Sequence, residues 1–285
     1  MWPYLLTLGE RAIPAYPILY GLGIALAGAV VLLLGRREGM NTKKLNHLIL
    51  LLALAVVGGG RTFYVLQHLG EAGGRTGAML DLSRGGQVFY GGLLLGLVVL
   101  VIYSRFARLP VAKTLDLVVV GAPLGLTVGR WGCFCRGCCF GSPSGLPWAV
   151  AFPKHIDVRG QIIGSPAYEA HLNEGWISAA ADSSVPVHPA QIYASFTSFA
   201  VFLVMLWLWK RRWAEGRLIV IYLGVYALSR FLLEFTRQNE MAFWGLTIPQ
   251  VVSLGVLAAL VPVLVVLRRS RAGTPAHATR RRGKR

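Results

Sequence analysis

The chain has 285 residues, of which 55% are apolar and 14% are charged, and its formal net charge is +17. About a quarter of the residues of a soluble domain are charged, so this composition argues against a soluble protein and indicates one that lies in lipid. The basic residues lie in short tracts between apolar runs and in the C-terminal tail. That distribution is typical of segments facing an anionic membrane surface and argues against nucleic-acid binding.

Seven apolar runs are long enough to be membrane-spanning helices, each of which needs about 20 residues. They cover residues 17–35, 47–66, 87–104, 112–128, 191–209, 217–236 and 248–267. The N-terminus lacks a basic stretch followed by an apolar core and a small-residue cleavage site, so we expect the first run to be retained as a helix. The predicted fold class is all-α, a polytopic integral membrane protein with about seven transmembrane helices.

Orientation follows from the basic residues in the connections, because such residues accumulate on the cytoplasmic side. They follow the first, third and fifth runs, at Arg36, Arg37, Lys43 and Lys44, at Arg105, Arg108 and Lys113, and at Lys210, Arg211, Arg212 and Arg217. This alternation predicts an external N-terminus and a cytoplasmic C-terminus. We therefore expect one transmembrane domain over residues 1–267, a long irregular external segment over 129–190, and a disordered basic cytoplasmic tail over 268–285.

Several ionisable residues lie in or beside the apolar runs, where each costs at least about 2.5–3.5 kcal/mol. Arg230 and Glu234 are four residues apart, so they share a helix face and can pair. The pair is either a structural link or an arginine that binds an anion and is held by its glutamate. Arg61 is either part of the same site or a side chain that extends toward the membrane surface. Arg130 ends the fourth run.

Guanidinium groups at similar depth suit a planar, bidentate partner, above all a phosphate. Glycine clusters lie near these arginines, at residues 58–60, 91–92 and 129–141. Glycine allows backbone N–H groups to approach a ligand and also allows helices to pack closely, and both interpretations stay open. Taken together, the arginines and glycines predict a site for a phospholipid headgroup that opens outward.

All four cysteines, Cys133, Cys135, Cys138 and Cys139, lie in the stretch "GRWGCFCRGCCFG". Their spacing differs from the paired C-x₂-C of common zinc sites, and one tetrahedral ion would need the adjacent Cys138 and Cys139 as ligands. We therefore predict no metal. A disulfide on the oxidising external side, a packing role, and a thiol that takes part in the reaction all stay open.

The same stretch, extended to "GRWGCFCRGCCFGSPSGLPWAVAFP", resembles the signature segment of the prolipoprotein diacylglyceryl transferases, a family of seven-span bacterial enzymes. Five further segments resemble that family in the same order, namely "PAYPILYGLGIALA", "VFYGGLLLG", "HPAQIYAS", "RFLLEFTRQNE" and "LTIPQVVSL". The resemblance covers most of the chain. It implies transfer of the diacylglyceryl group of phosphatidylglycerol to the lipobox cysteine of a prolipoprotein, with release of glycerol phosphate, in the bacterial inner membrane.

The resemblance also implies roles for individual residues. Arg130 and Gly141 match the signature arginine and glycine, and Arg230 and Glu234 match the arginine of the sixth span and its companion. The implied catalytic set is Arg130, Arg230, Glu234 and Tyr90, and the implied phosphatidylglycerol-binding set is Arg130, Gly141, Tyr20, Gly91, Gly92 and Arg61. Phosphatidylglycerol, prolipoproteins and membrane lipids are the expected partners, and no cofactor or metal is expected.

Two departures from the family pattern bear on the chemistry. The family's His-Gly-Gly histidine is Tyr90 here, and a tyrosine, with a pKa near 10, is a poor base beside a histidine near 6.5. The signature's asparagine is Cys133, and its later asparagine and glutamate are Arg136 and Cys138. Alternatives therefore stay open: a phospholipid-binding or transport-type membrane protein without the chemistry, a relative that uses another acceptor, or a thiol–disulfide oxidoreductase. His188 is either structural or a replacement base.

Overall fold

A computed structural model describes residues 4–8, 11–67, 89–156, 162–212, 216–237 and 241–272. Its helices are α1 (Ala15–Arg37), α2 (Thr42–Gln67), α3 (Phe89–Phe106), α4 (Val111–Arg136), α5 (Pro166–Asn173), α6 (Ala190–Lys210), α7 (Arg217–Glu234) and α8 (Ile248–Ala272). Three antiparallel hairpins pair β1 (Tyr4–Leu8) with β2 (Arg11–Pro14), β3 (Lys154–Ile156) with β4 (Ile162–Gly164), and β5 (Met241–Phe243) with β6 (Leu246–Thr247). The fold of the described residues is predominantly α-helical.

Four of the described helices, α1, α2, α4 and α6, are long and apolar enough to cross a membrane. α3 and α8 contain shorter apolar stretches, Tyr90–Phe106 and Ile248–Val263. Large apolar side chains lie on the helix surfaces, with Leu54 71% and Ile102 64% exposed, which is favourable in lipid and costly in water. The protein is therefore a membrane protein, and each of the seven predicted apolar runs overlaps one described helix.

α4 is longer than the predicted fourth run and continues through the first cysteines to Arg136. It ends in a Schellman motif, in which Cys138 N–H donates to the Cys133 carbonyl at 3.1 Å and Gly137 N–H donates to the Phe134 carbonyl at 3.1 Å. Gly137 has φ of +78°, which a residue without a Cβ adopts without strain. Hydropathy falls before this stop signal, so the predicted run ended too early.

The segment expected to be irregular, residues 129–190, contains regular structure in its described part. Besides β3 and β4 it holds α5, which Pro166 begins and Ser165 caps, since the Ser165 side chain accepts a hydrogen bond from Tyr168 N–H at 3.2 Å. Phe152, Ala167 and Val187 form a fully buried apolar cluster there. The segment thus has a small core of its own.

The chain forms two compact units. The first unit comprises residues 1–16, 130–201 and 217–285, and the second unit comprises residues 17–129 and 202–216. The prediction of a single transmembrane domain over 1–267 stays a prediction, and residues 273–285 of the predicted tail lie outside the described part of the chain.

Glycines bring α2 and α3 together in the second unit. A Cβ on Gly59 would lie 2.6 Å from the Gly91 carbonyl oxygen, and a Cβ on Gly92 would lie 2.7 Å from the Val56 carbonyl oxygen. Real Cβ atoms do not approach backbone oxygens so closely, so the absence of a side chain is what allows the two helices to touch. Close packing accounts for the glycines at these positions.

Candidate functional site

The first unit holds a buried ion pair at the end of α7. The Arg230 guanidinium is bound to the Glu234 carboxylate one turn later, as the spacing predicts. The Glu234 side chain is fully buried, whereas that of Arg230 is 23% exposed. Glu234 also accepts a hydrogen bond from the Thr247 hydroxyl at 3.0 Å, so both carboxylate oxygens are bound and the orientation of Arg230 is set.

Two further arginines belong to the surroundings of this ion pair. Arg237 lies just beyond α7, and its Nη2 donates to the Cys139 carbonyl at 3.4 Å. Burial lowers the pKa of Arg237, and the positive charges of Arg130 and Arg230 lower it further, while Cys139 and Glu234 act in the opposite direction. The guanidinium of arginine is not deprotonated in proteins, so each of these residues carries a positive charge. Arg130 and Arg230 thus each lie within electrostatic range of Arg237.

Gly141 is the point at which three segments of the first unit cross. Its N–H donates to the His188 carbonyl at 3.0 Å, and the next N–H, of Ser142, donates to the Thr236 carbonyl at 3.0 Å. A Cβ on Gly141 would lie 2.4 Å from the Thr236 oxygen and 2.6 Å from His188. Gly141 therefore joins the signature stretch to the end of α7, between Glu234 and Arg237.

The cysteines lie beside these arginines. The Sγ atoms of Cys133, Cys138 and Cys139 are all within 4.8 Å of one another, and Arg130 and Arg237 both interact electrostatically with Cys139. Hydrogen bonds with Cys133 and Cys138, together with these positive charges, lower the pKa of the Cys139 thiol, whereas hydrogen bonds with Cys133 and Cys139 raise the pKa of the Cys138 thiol. All four cysteines are described, and all are free thiols.

Five of the residues singled out from the sequence lie in the second unit. Arg61 is only 6% exposed and its guanidinium lies 5.0 Å from the centre of the Tyr64 ring, so it is buried within this unit. Tyr20 is half-buried, 3.9 Å from where a Cβ on Gly129 would lie, and Tyr90 is 45% exposed. Gly91 and Gly92 are the packing glycines of α3. Their assignment to the phosphatidylglycerol site stays a prediction.

Three polar residues of the first unit were missed by sequence reasoning or left without a role. Gln191 donates to the Cys138 carbonyl at 2.8 Å and so fixes the cysteine stretch to α6. Thr247 holds Glu234, and Arg237 joins the arginines. Gln191 lies in "HPAQIYAS" and Thr247 in "LTIPQVVSL", two segments that resemble the family, but their partners are far away in the chain. The family resemblance of these segments could have indicated that Gln191 and Thr247 matter, but it could not show which residues they contact.

His188 takes part in a chain of polar contacts. Trp148 Nε1 donates to the Tyr193 hydroxyl at 2.7 Å, and His188 Nδ1 lies 3.4 Å from that same oxygen. The backbone of His188 is held on both sides by Gly141 and Ser142, since its N–H donates to the Ser142 carbonyl at 3.0 Å. These contacts favour the structural interpretation of His188.

The arrangement in the first unit suits a phosphate group. Among the described residues that these contacts bring together, Arg130, Arg230 and Arg237 contribute three positive charges and Glu234 one negative charge, which leaves two positive charges to balance an anion. Fixed guanidiniums stabilise charge that develops on phosphate oxygens as a bond to them breaks, because they need no reorientation at that moment.

The chain can be compared with known proteins on this basis. It is 28% identical over 246 residues to the phosphatidylglycerol–prolipoprotein diacylglyceryl transferase of Finegoldia magna, covering 86% of this chain and 87% of that protein. Proteins with the same name from Clostridium tetani and Bordetella bronchiseptica are identical to this chain at 29% of 240 aligned residues and at 30% of 247 aligned residues, respectively. These alignments cover 83% and 84% of this chain and 86% and 83% of the relatives. The family model described as prolipoprotein diacylglyceryl transferase matches residues 3–266, and the chain therefore belongs to that family.

Proposed function

We propose that this protein transfers the diacylglyceryl group of phosphatidylglycerol to the cysteine thiol of a prolipoprotein and releases glycerol phosphate. The names of its relatives supply the two substrates. The observation that carries the proposal is the group of three arginines formed by Arg130, Arg237 and the Arg230 of the ion pair with Glu234. In a chain of this family, such a group matches the charge of the phosphate that leaves.

The arginines have separable roles in this proposal. Arg130 and Arg237 bind the phosphate of phosphatidylglycerol, and Arg230, oriented by Glu234, stabilises the charge that forms as the carbon–oxygen bond breaks. Gly141 acts indirectly, because its contacts hold the signature stretch against the end of α7. For Tyr20, Arg61, Tyr90, Gly91 and Gly92, which belong to the second unit, the role in binding phosphatidylglycerol rests on the family resemblance, with Tyr90 as a hydrogen-bonding group rather than a base.

We further propose seven membrane spans, α1 to α4 and α6 to α8, with the N-terminus outside and the C-terminus in the cytoplasm of a bacterial inner membrane. Two contacts support the orientation. Lys113 at the start of α4 pairs with Glu38 after α1 at 2.9 Å, and Lys44 at the start of α2 donates to the Ala107 carbonyl after α3 at 2.7 Å. These basic ends thus lie on one side, as the positive-inside rule requires.

The test is a transfer assay in membranes or nanodiscs that contain the full chain. Phosphatidylglycerol labelled in its acyl chains is incubated with a peptide that carries a lipobox cysteine, and label on the peptide is measured. We expect transfer by the unmodified protein and a loss of about 10²–10³-fold in Arg130→Ala and in Arg230→Ala, since each removes a fixed donor to the developing charge.

Arg211→Ala is the matched control, because Arg211 lies past the far end of α6, where it contacts the Trp207 ring. This variant should keep full activity. Bound phosphatidylglycerol without transfer would favour the alternative of a lipid-binding protein. Transfer that survives both arginine substitutions would contradict the proposed phosphate site.

A further inference from the structure

Three thiols of the signature stretch converge although two of them are adjacent in the chain. Cys133 lies in the last turns of α4, whereas Cys138 and Cys139 follow its Schellman end, and the three Sγ atoms are within 4.8 Å of one another. Adjacent side chains in extended backbone point to opposite sides. Cys139 instead has φ of +58°, an uncommon left-handed conformation for a residue with a Cβ, and this lets both side chains lie near Cys133.

Cys135 does not belong to this group of thiols. It lies two residues after Cys133 within α4, which places the two side chains about 200° apart around the helix axis. The group of cysteine ligand atoms within 4.8 Å contains Cys133, Cys138 and Cys139 and not Cys135. The chain thus contains a matched control cysteine in the same stretch.

The number and spacing of the thiols favour a metal over a disulfide. A disulfide would use two of the three and leave one, whereas a thiophilic cation uses all three. Zinc–sulfur bonds of about 2.3 Å in tetrahedral geometry place sulfur atoms about 3.8 Å apart, so the farthest pair would close by about 1 Å. We expected no metal because the adjacent Cys138 and Cys139 would both have to be ligands. The left-handed backbone at Cys139 allows both side chains to reach one ion.

The charges around the thiols also suit such a site. Three thiolates and one Zn²⁺ carry a net charge of −1, and the guanidiniums of Arg130 and Arg237 interact electrostatically with these cysteines, Arg237 with Cys139. The two positive charges more than offset that residual negative charge, and they balance the charge of −2 that the site carries once the acceptor thiolate has bound as well. Gln191 holds the carbonyl of Cys138, so one ligand-bearing residue is fixed to α6 from outside the cysteine stretch.

We propose that Cys133, Cys138 and Cys139 bind one thiophilic cation, Zn²⁺ by preference, whose fourth coordination position takes the thiol of the prolipoprotein cysteine. This inference rests on the proposed function and assigns the activation of the acceptor. Three protein ligands with an open position are typical of catalytic zinc sites, and soft thiolate ligands select zinc over magnesium or calcium.

The proposed reaction needs no protein base to remove the proton of the acceptor thiol. The acceptor thiol binds the cation and releases its proton to water, which coordination makes favourable because a coordinated thiol is deprotonated. The bound sulfur attacks the glyceryl carbon that bears the phosphate, and a carbon–sulfur bond forms as the carbon–oxygen bond breaks. The electron pair leaves on the glycerol phosphate, which the arginines hold. The thioether product is a weaker ligand than the thiolate and dissociates. Tyr90 in place of the family histidine is then compatible with activity.

The first experiment measures metal binding alone. The full chain is purified in detergent under reducing conditions and titrated with Zn²⁺ against a colorimetric chelator, and the bound zinc is counted by elemental analysis. We expect one zinc per chain in the unmodified protein and in Cys135→Ser. Loss of a group that only hydrogen-bonds a metal ligand costs roughly 10–100-fold in metal affinity. The variants Cys133→Ser, Cys138→Ser and Cys139→Ser each remove a ligand, so each should weaken zinc binding by more than that.

Cobalt keeps the test independent of whether the variants fold. Co²⁺ added to the unmodified protein should give thiolate-to-metal charge-transfer absorption and the intense visible bands of tetrahedral geometry. Absence of these bands, or equal zinc binding by the three serine variants, would overturn the inference. So would a thiol count that is two short in protein purified without a reductant and complete after reduction, together with no zinc binding by the reduced protein, because that pattern indicates a disulfide.

The transfer assay separates this inference from the proposed function. We expect activity to fall on chelation and to return with Zn²⁺, and Arg230→Ala to lose transfer while it keeps its zinc. Zinc binding with no transfer in the unmodified protein would reject the proposed function and leave the metal site standing. Transfer that persists in the three serine variants without zinc would reject the metal-activated step and leave the function standing.

Discussion

Gly141 in the first unit and Gly91 in the second both lie against a backbone carbonyl, each with 2.4 Å between that oxygen and the position of a Cβ. Their surroundings differ. Gly91 faces Gly59 and the Phe63 side chain, so it closes an apolar contact between two helices. Gly141 faces Thr236 and His188, in a crossing made of polar backbone contacts that ends beside Arg237.

The comparison shows that a glycine beside charged residues does not by itself indicate a ligand. Both glycines stand in segments that resemble the family, and both are required by close approach. What separates them is the polar network around one and the apolar contact around the other. If these surroundings decide the role of each glycine, changes to the polar network around Gly141 should reduce activity, and a change at Gly91 should reduce stability.

The largest effect is expected for Glu234→Gln. The change removes the buried charge that pairs with Arg230, and leaving one partner of a buried pair costs about 3–5 kcal/mol. Transfer activity should fall with it by about 10²–10³-fold, because Arg230 loses its orientation. Kinetics of the transfer assay and the melting temperature in detergent measure the two effects. Glu169→Gln, at an exposed position on α5, is the control, and wild-type kinetics in Glu234→Gln would refute the role of the ion pair.

Thr247→Val should have the next largest effect. It removes the hydroxyl that donates to Glu234 at 3.0 Å, and a hydrogen bond to a charged group is worth about 1.5–3 kcal/mol. Thr247→Ser keeps the donor and should retain most of the stability and activity. The double variant with Glu234→Gln should lose less than the sum of the two single changes, and simple additivity would indicate that Thr247 acts elsewhere.

Gly91→Ala should lower stability by about 1–3 kcal/mol, the usual cost of overpacking, because its Cβ meets the Gly59 carbonyl. The melting temperature should drop by several degrees. Gly58→Ala changes the residue next to Gly59 on α2, where nothing lies within 4 Å of the added Cβ, and should not lower the melting temperature. Equal melting temperatures for the two variants would contradict the packing role of Gly91.

The smallest effect is a pH dependence that arises at His171. This side chain is fully buried between Phe140 and Trp176, neither ring nitrogen has a hydrogen-bond partner among the described residues, and burial lowers its pKa, opposed by Glu174. The unfolded chain then binds a proton below pH 6.5 that the folded protein does not, so stability decreases as pH falls through that value.

His171→Phe should reduce that decrease, because the phenyl ring has no proton to bind and fills a similar volume. Melting temperatures at pH 7.5 and at pH 5.5, measured for both proteins, give the comparison. An identical decrease in the two proteins would assign the pH dependence to other groups.

Hydropathy predicted the helices well, because a membrane helix is dictated by its own residues. The run predicted at 191–209 is α6, Ala190–Lys210, and the Arg230–Glu234 pair needed only helical spacing. The sequence analysis did not predict α5, although a serine followed by a proline, as at Ser165 and Pro166, is typical of a helix start. Contacts between distant segments could not be read in this way: Thr247 on Glu234, Gln191 on Cys138, and the convergence of three thiols depend on the folded chain.

The end of α4 has a consequence for the length of the signature stretch. Arg130, Cys133 and the terminating Gly137 are placed by one helix, so their relative directions are set by the number of residues between them. A single inserted or deleted residue between Arg130 and Cys133 would turn the arginine by about 100° away from the thiols. Substitutions leave this geometry in place, whereas a change of length would separate the charge from the sulfur atoms at once.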